Sequence, residues 1–166
     1  MEKEGTNTLE QQIKEVSEKF LEKSKDKEIL LISHFDTDGI TSATIMIKTL
    51  KKLDKKFSVK IIKGLEEDFI YSLPKNKIIL FLDLASGSLD HIQNSSLEDV
   101  FIIDHHEVIQ KIPEKIEIIN PILLDKQKIS GSGLTYLFCK ELTPDSKESA
   151  KLAILGMIGD RLEKEI

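Results

Sequence analysis

Four short apolar runs constrain this chain more than anything else in it: EILLIS (residues 28–33), FSVKII (57–62), KIILFLD (77–83) and DVFIID (99–104). Each is far too short to cross a membrane, and the runs are apolar on both faces. Segments with helical spacing separate them, the pattern of a parallel sheet covered by helices on each side. The expected fold class is α/β, an open, mostly parallel sheet with helices on both faces.

The helical segments are read from their spacing. Leu9, Ile13, Val16, Phe20 and Leu21 form one apolar stripe, which predicts a helix over residues 7–25 that covers an edge or a face of the core. After EILLIS the loop HFDTDG intervenes before TSATIMIKTLKKL (41–53) resumes helical spacing, so this unit reads strand, loop, helix. KIILFLD leads through SGS into a short helical stretch, and EIIN (117–120) is a candidate edge strand that Asn120-Pro121 terminates. Two helices, 133–142 and 145–162, join at Thr143-Pro144. No repeat of fixed period and no low-complexity linker interrupts the chain.

The totals fit one globular domain. At 166 residues the chain can bury one core and is short for two, and its 32% charged residues interleave Lys with Glu rather than forming blocks. A net charge of -5 and a single arginine, Arg161, argue against a protein that wraps duplex nucleic acid and against arginine clamping of phosphate. A phosphate group would be held by metal, lysine or backbone, and a local cationic groove stays open as an option. The one cysteine, Cys139, reads as a small buried residue on a helix; it excludes an internal disulfide and a multi-cysteine metal site, and suits a reducing compartment. The start, MEKEGTNTLE, is polar, and no apolar run approaches the roughly 18 residues of a membrane span, so a cytoplasmic protein with no membrane partner is expected.

In an open parallel sheet, ligands bind beyond the carboxyl ends of the strands. HFDTDG supplies His34, Asp36 and Asp38 there, the third run ends on Asp83, and the fourth ends on Asp104 followed by His105 and His106. A lone aspartate in such a place is commonly a helix N-cap, and a histidine pair is commonly a hydrogen-bonded structural feature. Those readings must hold separately for each group, whereas one site explains them together. Crowded carboxylates raise one another's pKa unless a cation neutralises them, and a divalent metal does so. Imidazole beside carboxylate suits manganese, zinc or iron more than calcium, and the excess of carboxylate keeps magnesium in play. The expected cofactor is Mn2+, as two ions roughly 3.5–4 Å apart, with Asp83 best placed to bridge them.

Two other motifs fail on HFDTDG. A calcium EF-hand starting at Asp36 needs Gly at its sixth position and Glu at its twelfth, where this chain has Gly39 fourth and Ile47 twelfth. The aspartyl-phosphate phosphatases of the haloacid dehalogenase type carry DxDGT, but Ile40 holds the Thr position and the double histidine is left unexplained.

HFDTDGITSA (34–43), FLDLASGS (81–88), IIDHHE (102–107) and LGMIGD (155–160) occur in that order. Together they resemble the motifs of the DHH phosphoesterase superfamily, closest to the N-terminal catalytic domain of its RecJ-like branch, a Rossmann-like fold. The resemblance implies that His34, Asp36 and Asp83 hold one metal and that Asp38, Asp83, His105 and Asp160 hold the other. It makes Asp104 a residue that orients a ligating histidine through its ring N–H, and His106 the group that contacts the scissile phosphate. Asp160 rests on the resemblance alone. The His-to-Asp spacing in HFDTDG differs from that of the family's inorganic pyrophosphatases, which disfavours pyrophosphate as substrate.

The resemblance divides the chain into an N-terminal helix (residues 1–27) and a catalytic domain (28–166). Family members continue into a glycine-rich, basic substrate-binding domain, whereas this chain stops at RLEKEI. A fragment, a truncated form or a partner-dependent protein is therefore expected. The function implied is metal-dependent phosphodiester hydrolysis by a two-metal-activated water, as in a RecJ-like exonuclease or oligonucleotide phosphodiesterase acting on single strands. SGSG, which is Ser130, Gly131, Ser132 and Gly133, is read either as a donor of backbone N–H groups to substrate phosphate or as a flexible turn and helix cap. The alternatives are a cyclic-dinucleotide or small-molecule phosphatase of the same superfamily, and a non-catalytic nucleic-acid or protein assembly module. The intact ligand set favours an enzyme over the last.

Overall fold

The computed structural model describes residues 8–124, 129–143 and 147–163. Five strands, β1 (Ile29–His34), β2 (Phe57–Ile62), β3 (Ile78–Leu82), β4 (Val100–Ile103) and β5 (Ile116–Ile119), form one sheet in the order β2-β1-β3-β4-β5. Every pairing is parallel, and EIIN does supply an edge strand. The helices are α1 (Leu9–Lys23), α2 (Thr37–Lys52), α3 (Glu67–Tyr71), α4 (Leu89–Asn94), α5 (Gly131–Leu142) and α6 (Ala150–Glu163). None of the described helices is long and apolar enough to cross a membrane.

Three of the four apolar runs, β1, β3 and β4, are covered on both faces; β2, expected to be covered like them, is an edge strand with Lys60, Val59 and Ile61 exposed. Along β1, Ile29 and Leu31 enter a core shared with α1, α2 and α5, while Leu30 and Ile32 enter a second core lined by α3 and α4. In β3 and β4 the same alternation sends Leu80, Leu82, Phe101 and Ile103 to the first core and Ile79, Phe81, Val100 and Ile102 to the second. Phe20 of α1 anchors the first core, meeting the rings of Phe101 and Phe138 edge to face at 5.2 and 5.6 Å. Helix α6 forms an outer layer against α2 and α5. Cys139 is fully buried, as expected of a small apolar residue.

Helix starts differ from the spacing because caps, rather than apolar periodicity, set them. Helix α1 starts at Leu9, not at residue 7, because Thr8 Oγ1 accepts from Gln11 N–H at 3.2 Å while Gln11 Oε1 accepts from Thr8 N–H at 2.9 Å. Helix α2 begins inside HFDTDG, at Thr37, since Asp36 caps it by accepting from Gly39 N–H at 2.8 Å. Ser130 likewise starts α5 at Gly131 rather than at 133. Helix α3 was not expected from the sequence. Helix α6 starts at Ala150 after a single helical turn at Lys147–Ser149; the expected start at 145 and Pro144 lie outside the described residues, as do residues 1–7.

The β1–α2 segment leads to β2 on one side, while β3 pairs with the other side of β1. The chain therefore reverses direction across the sheet between β1 and β3, where loops part and a crevice opens at the carboxyl ends.

Candidate metal centre

Three strand ends and two helices converge on this crevice. His34 closes β1, and the chain then turns so tightly into α2 that a Cβ on Gly39 would lie 2.3 Å from the His34 carbonyl oxygen. Glycine is required there by close approach rather than by backbone angle. Ser33 Oγ donates to the Gly39 carbonyl at 2.7 Å and fastens the turn. After β3, Asp83 has φ 58° and Ala85 has φ 91°, left-handed values that residues other than glycine rarely adopt. This strained turn leaves the Asp83 carboxylate in the middle of the site.

The ligand-type atoms of His34, Asp36 and Asp83 lie within 4.8 Å of one another, and so do those of Asp38, His105 and Asp160. Asp83 also groups with His105 and His106, so it stands between the sets. His34 donates Nε2–H toward the Lys63 carbonyl at 3.2 Å, which turns Nδ1 toward Asp36 Oδ2 at 2.5 Å and Asp83 Oδ2 at 4.0 Å. An imidazole lone pair facing carboxylates at that range needs a proton or a metal between them. His105 Nε2 faces Asp83 Oδ1 at 3.1 Å, Asp38 Oδ2 at 3.7 Å and Asp160 Oδ1 at 4.0 Å.

Asp83 is only 2% exposed, and neither of its oxygens accepts a well-formed hydrogen bond. Burial, then the charges of Asp38, Asp36 and Asp104, push its carboxyl up to about 10. Such a group in a pocket of imidazoles and carboxylates fits a divalent cation, whose charge reverses each of those penalties. Asp36 differs: burial opposes its charge, but the Gly39 N–H and the His34 ring outweigh it and lower its pKa.

Asp104 orients a different histidine from the one expected. Its Oδ1 pairs with His106 Nδ1 at 2.6 Å and accepts the backbone N–H groups of His105 at 2.8 Å and His106 at 3.3 Å, while Oδ2 accepts from Ser86 N–H at 2.9 Å. The His105 ring is instead steered by the carboxylates it faces. Complete burial works against the charge on Asp104, yet these donors, His106 first, bring its pKa down to about 2. The same hydrogen bond raises His106. With Nδ1 committed to Asp104, Nε2 of His106 is left to the cleft of about 260 Å³ that His106 lines with Asp83, His34 and Lys63.

The SGSG segment is a helix cap whose free N–H groups are already used. Gly131 N–H and Ser132 N–H donate to Asp38 Oδ2 and Oδ1 at 2.6 and 3.0 Å, and Gly133 N–H donates to Ser130 Oγ at 3.2 Å. All four residues are buried. The donors expected to face a phosphate thus hold a carboxylate of the site, the favourable end of a helix for an anion. A Cβ on Gly131 would lie 2.8 Å from Asp83 Oδ1, and one on Gly156 of α6 would lie 2.7 Å from Asp38 Oδ1. Asn120, read from sequence only as a strand end, is fully buried and donates to Ser86 Oγ at 3.0 Å and to the His106 carbonyl at 2.9 Å. It ties the loops after β3 and β4 together, and only its place before Pro121 marked it.

A parallel α/β domain whose strand ends gather carboxylates and imidazoles into adjoining groups able to hold divalent cations is the class that this fold and centre define. The chain belongs to the DHH family: the family's N-terminal domain matches residues 28–159. It is similar to an uncharacterized protein of Methanocaldococcus jannaschii, 33% identical over 143 residues that make up 80% of this chain and 32% of the relative. It is also similar to the single-stranded-DNA-specific exonuclease RecJ of Bacillus subtilis, 26% identical over 154 residues, 82% of this chain and 19% of that protein. The chain thus spans about a third or less of the length of these curated relatives. Among solved structures, an exonuclease RecJ bound to manganese aligns over 89% of this chain and 43% of its own, with a TM-score of 0.76 and 22% identity. CDC45 from Entamoeba histolytica aligns over 95% and 34%, with a TM-score of 0.74 and 16% identity. At these identities the two structures speak for the fold.

Proposed function

We propose that this chain is the metal-dependent phosphodiester-hydrolysing domain of a RecJ-like protein that acts on single-stranded oligonucleotides. The observation that carries the proposal is Asp83, a buried carboxylate with no hydrogen bond that stands between two sets of ligand atoms. The naming of the Bacillus subtilis relative as a single-stranded-DNA-specific exonuclease supports the substrate class.

Two bound divalent ions, manganese first and magnesium also suited, supply positive charge for the phosphoryl oxygens and an acidified water as nucleophile. His34, Asp36 and Asp83 would hold one ion; Asp38, Asp83, His105 and Asp160 would hold the other. Helix α5 fixes Asp38 through the N–H groups of Gly131 and Ser132. His106, whose protonated form the Asp104 hydrogen bond favours, offers Nε2–H to a non-bridging oxygen as charge develops there. Asp104 stays ionised and holds that ring in place.

The test is manganese-dependent release of mononucleotides from short single-stranded oligonucleotides, expected to vanish in Asp83→Ala and His105→Ala. Absence of metal-dependent hydrolysis of oligonucleotides, cyclic dinucleotides and pyrophosphate alike would refute an enzymatic role.

A further inference from the structure

Phe35 sits between the ligand residues His34 and Asp36, yet it is 47% exposed. A ring left this open contributes little to the core, and polar residues would meet the demands of the turn as well. Its position is nevertheless fixed from two sides. The His34 ring meets it edge to face at 4.9 Å and 79°, and Lys63 Nζ stands 5.9 Å from its centroid. Lys63 is itself tied to the site, because its carbonyl accepts from His34 and its side chain lines the cleft.

Two lysines lie on the segment that reaches this rim, in a chain whose net charge is -5: Lys60 near the end of β2 and Lys63 directly after it. Lys60 and Lys63 are both exposed, and Lys60 Nζ stands 5.2 Å from the Phe69 ring of α3. An oriented aromatic ring with one ammonium group beside it and a second lysine along the same strand, at the rim of a phosphate-processing site, matches what an unpaired nucleotide offers: a π-face and a negative backbone.

We infer that Phe35 is a stacking platform for the base of the nucleotide whose phosphate enters the metal centre, with Lys63 and Lys60 holding the adjoining backbone. The inference rests on the proposed function and deepens it, because it identifies the part of a single strand that the site reads. A base inside a duplex already has neighbours on both faces and cannot lie on the ring. The platform therefore selects unpaired strands without reading their sequence.

The test compares binding of two end-labelled, cleavage-resistant phosphorothioate oligomers of equal length, one of thymidine and one of abasic deoxyribose, by fluorescence anisotropy in manganese. The protein is expected to prefer the thymidine oligomer by about tenfold, the fold-change given by about 1.4 kcal/mol of base stacking. Phe35→Ala should erase that preference while keeping the affinity for the abasic oligomer, and Phe35→Trp should retain it. Lys63→Gln should weaken both oligomers alike and reduce the salt dependence of binding. The inference is overturned if the wild type shows no preference, or if the preference survives in Phe35→Ala. Cleavage of an ordinary oligonucleotide, followed in parallel, reports separately on the proposed function.

Discussion

Without metal, Asp83 makes the fold less stable as pH rises. An unfolded chain titrates this carboxyl near 3.9, whereas the folded chain holds its proton up to about 10. Between those values the native state carries one more proton than the unfolded state, so stability falls with increasing pH by roughly 1 kcal/mol per unit. From pH 6 to pH 8 the loss attributable to this residue is roughly 2–3 kcal/mol, a large share of a small domain's stability. Urea unfolding in chelator at pH 6, 7 and 8 measures it. Asp83→Asn keeps the shape and removes the titration, so the variant should be about as stable as the wild type at pH 6 and more stable than it at pH 8. His106, whose pKa is also raised, adds a loss above about pH 6.5 that both proteins share. Excess manganese should reverse the slope in the wild type alone, because the ion stabilises the deprotonated form. Parallel pH profiles for the wild type and Asp83→Asn in chelator would show that Asp83 is charged in the metal-free fold and would refute this account.

Two further substitutions probe how the centre is built. Gly131→Ala places a Cβ 2.8 Å from both Cβ and Oδ1 of Asp83; it should cost about 1–3 kcal/mol by overpacking and weaken manganese binding at least tenfold by calorimetry. Asn120→Ala removes the donors to Ser86 Oγ and the His106 carbonyl and the acceptor for Ile122 N–H. A loss of about 2–3 kcal/mol is expected, with faster amide exchange at Ser86 and His106.

The parallel sheet and most of the residues that gather at its carboxyl edge were legible in the sequence because each rests on a local signal. Apolar runs spaced by helices mark parallel strands, although β2 at the edge is less covered than its composition suggests, and the groups that follow such runs meet at one edge. Helix starts were less legible, since Asp36 and Ser130 extend their helices upstream by capping, and capping competes with the ligand and loop roles that the same residue types advertise. The pairing of Asp104 with His106 rather than His105 is local, two residues apart in one loop, but it is set by the backbone turn of that loop, which the order of residues does not encode. The same holds for Gly131 and Ser132: glycine and serine before a helix announce available N–H groups, but not whether a substrate or a buried aspartate takes them. Asn120 carried no chemical signal at all, because its function is to accept and donate among loops that sequence keeps apart.

The two adjacent histidines after β4 lie with ring centroids 4.5 Å apart, yet they meet different groups. His105 turns into the carboxylates Asp38, Asp83 and Asp160, and His106 turns to the open cleft. One buried carboxylate supports both: Asp104 Oδ1 accepts the N–H groups of the two residues and the Nδ1–H of the second. Asp104 keeps its charge because donors surround it, while Asp83, the residue directly after β3, has no such donors, and burial with the charges of Asp38, Asp36 and Asp104 pushes its carboxyl up. Identical side chains at equivalent strand ends are thus driven to opposite protonation states by unequal hydrogen-bond supply and unequal neighbouring charge. The undersupplied one is where a cation does the most good, and its strained backbone and unpaired oxygens are the stability that the fold forgoes to hold one.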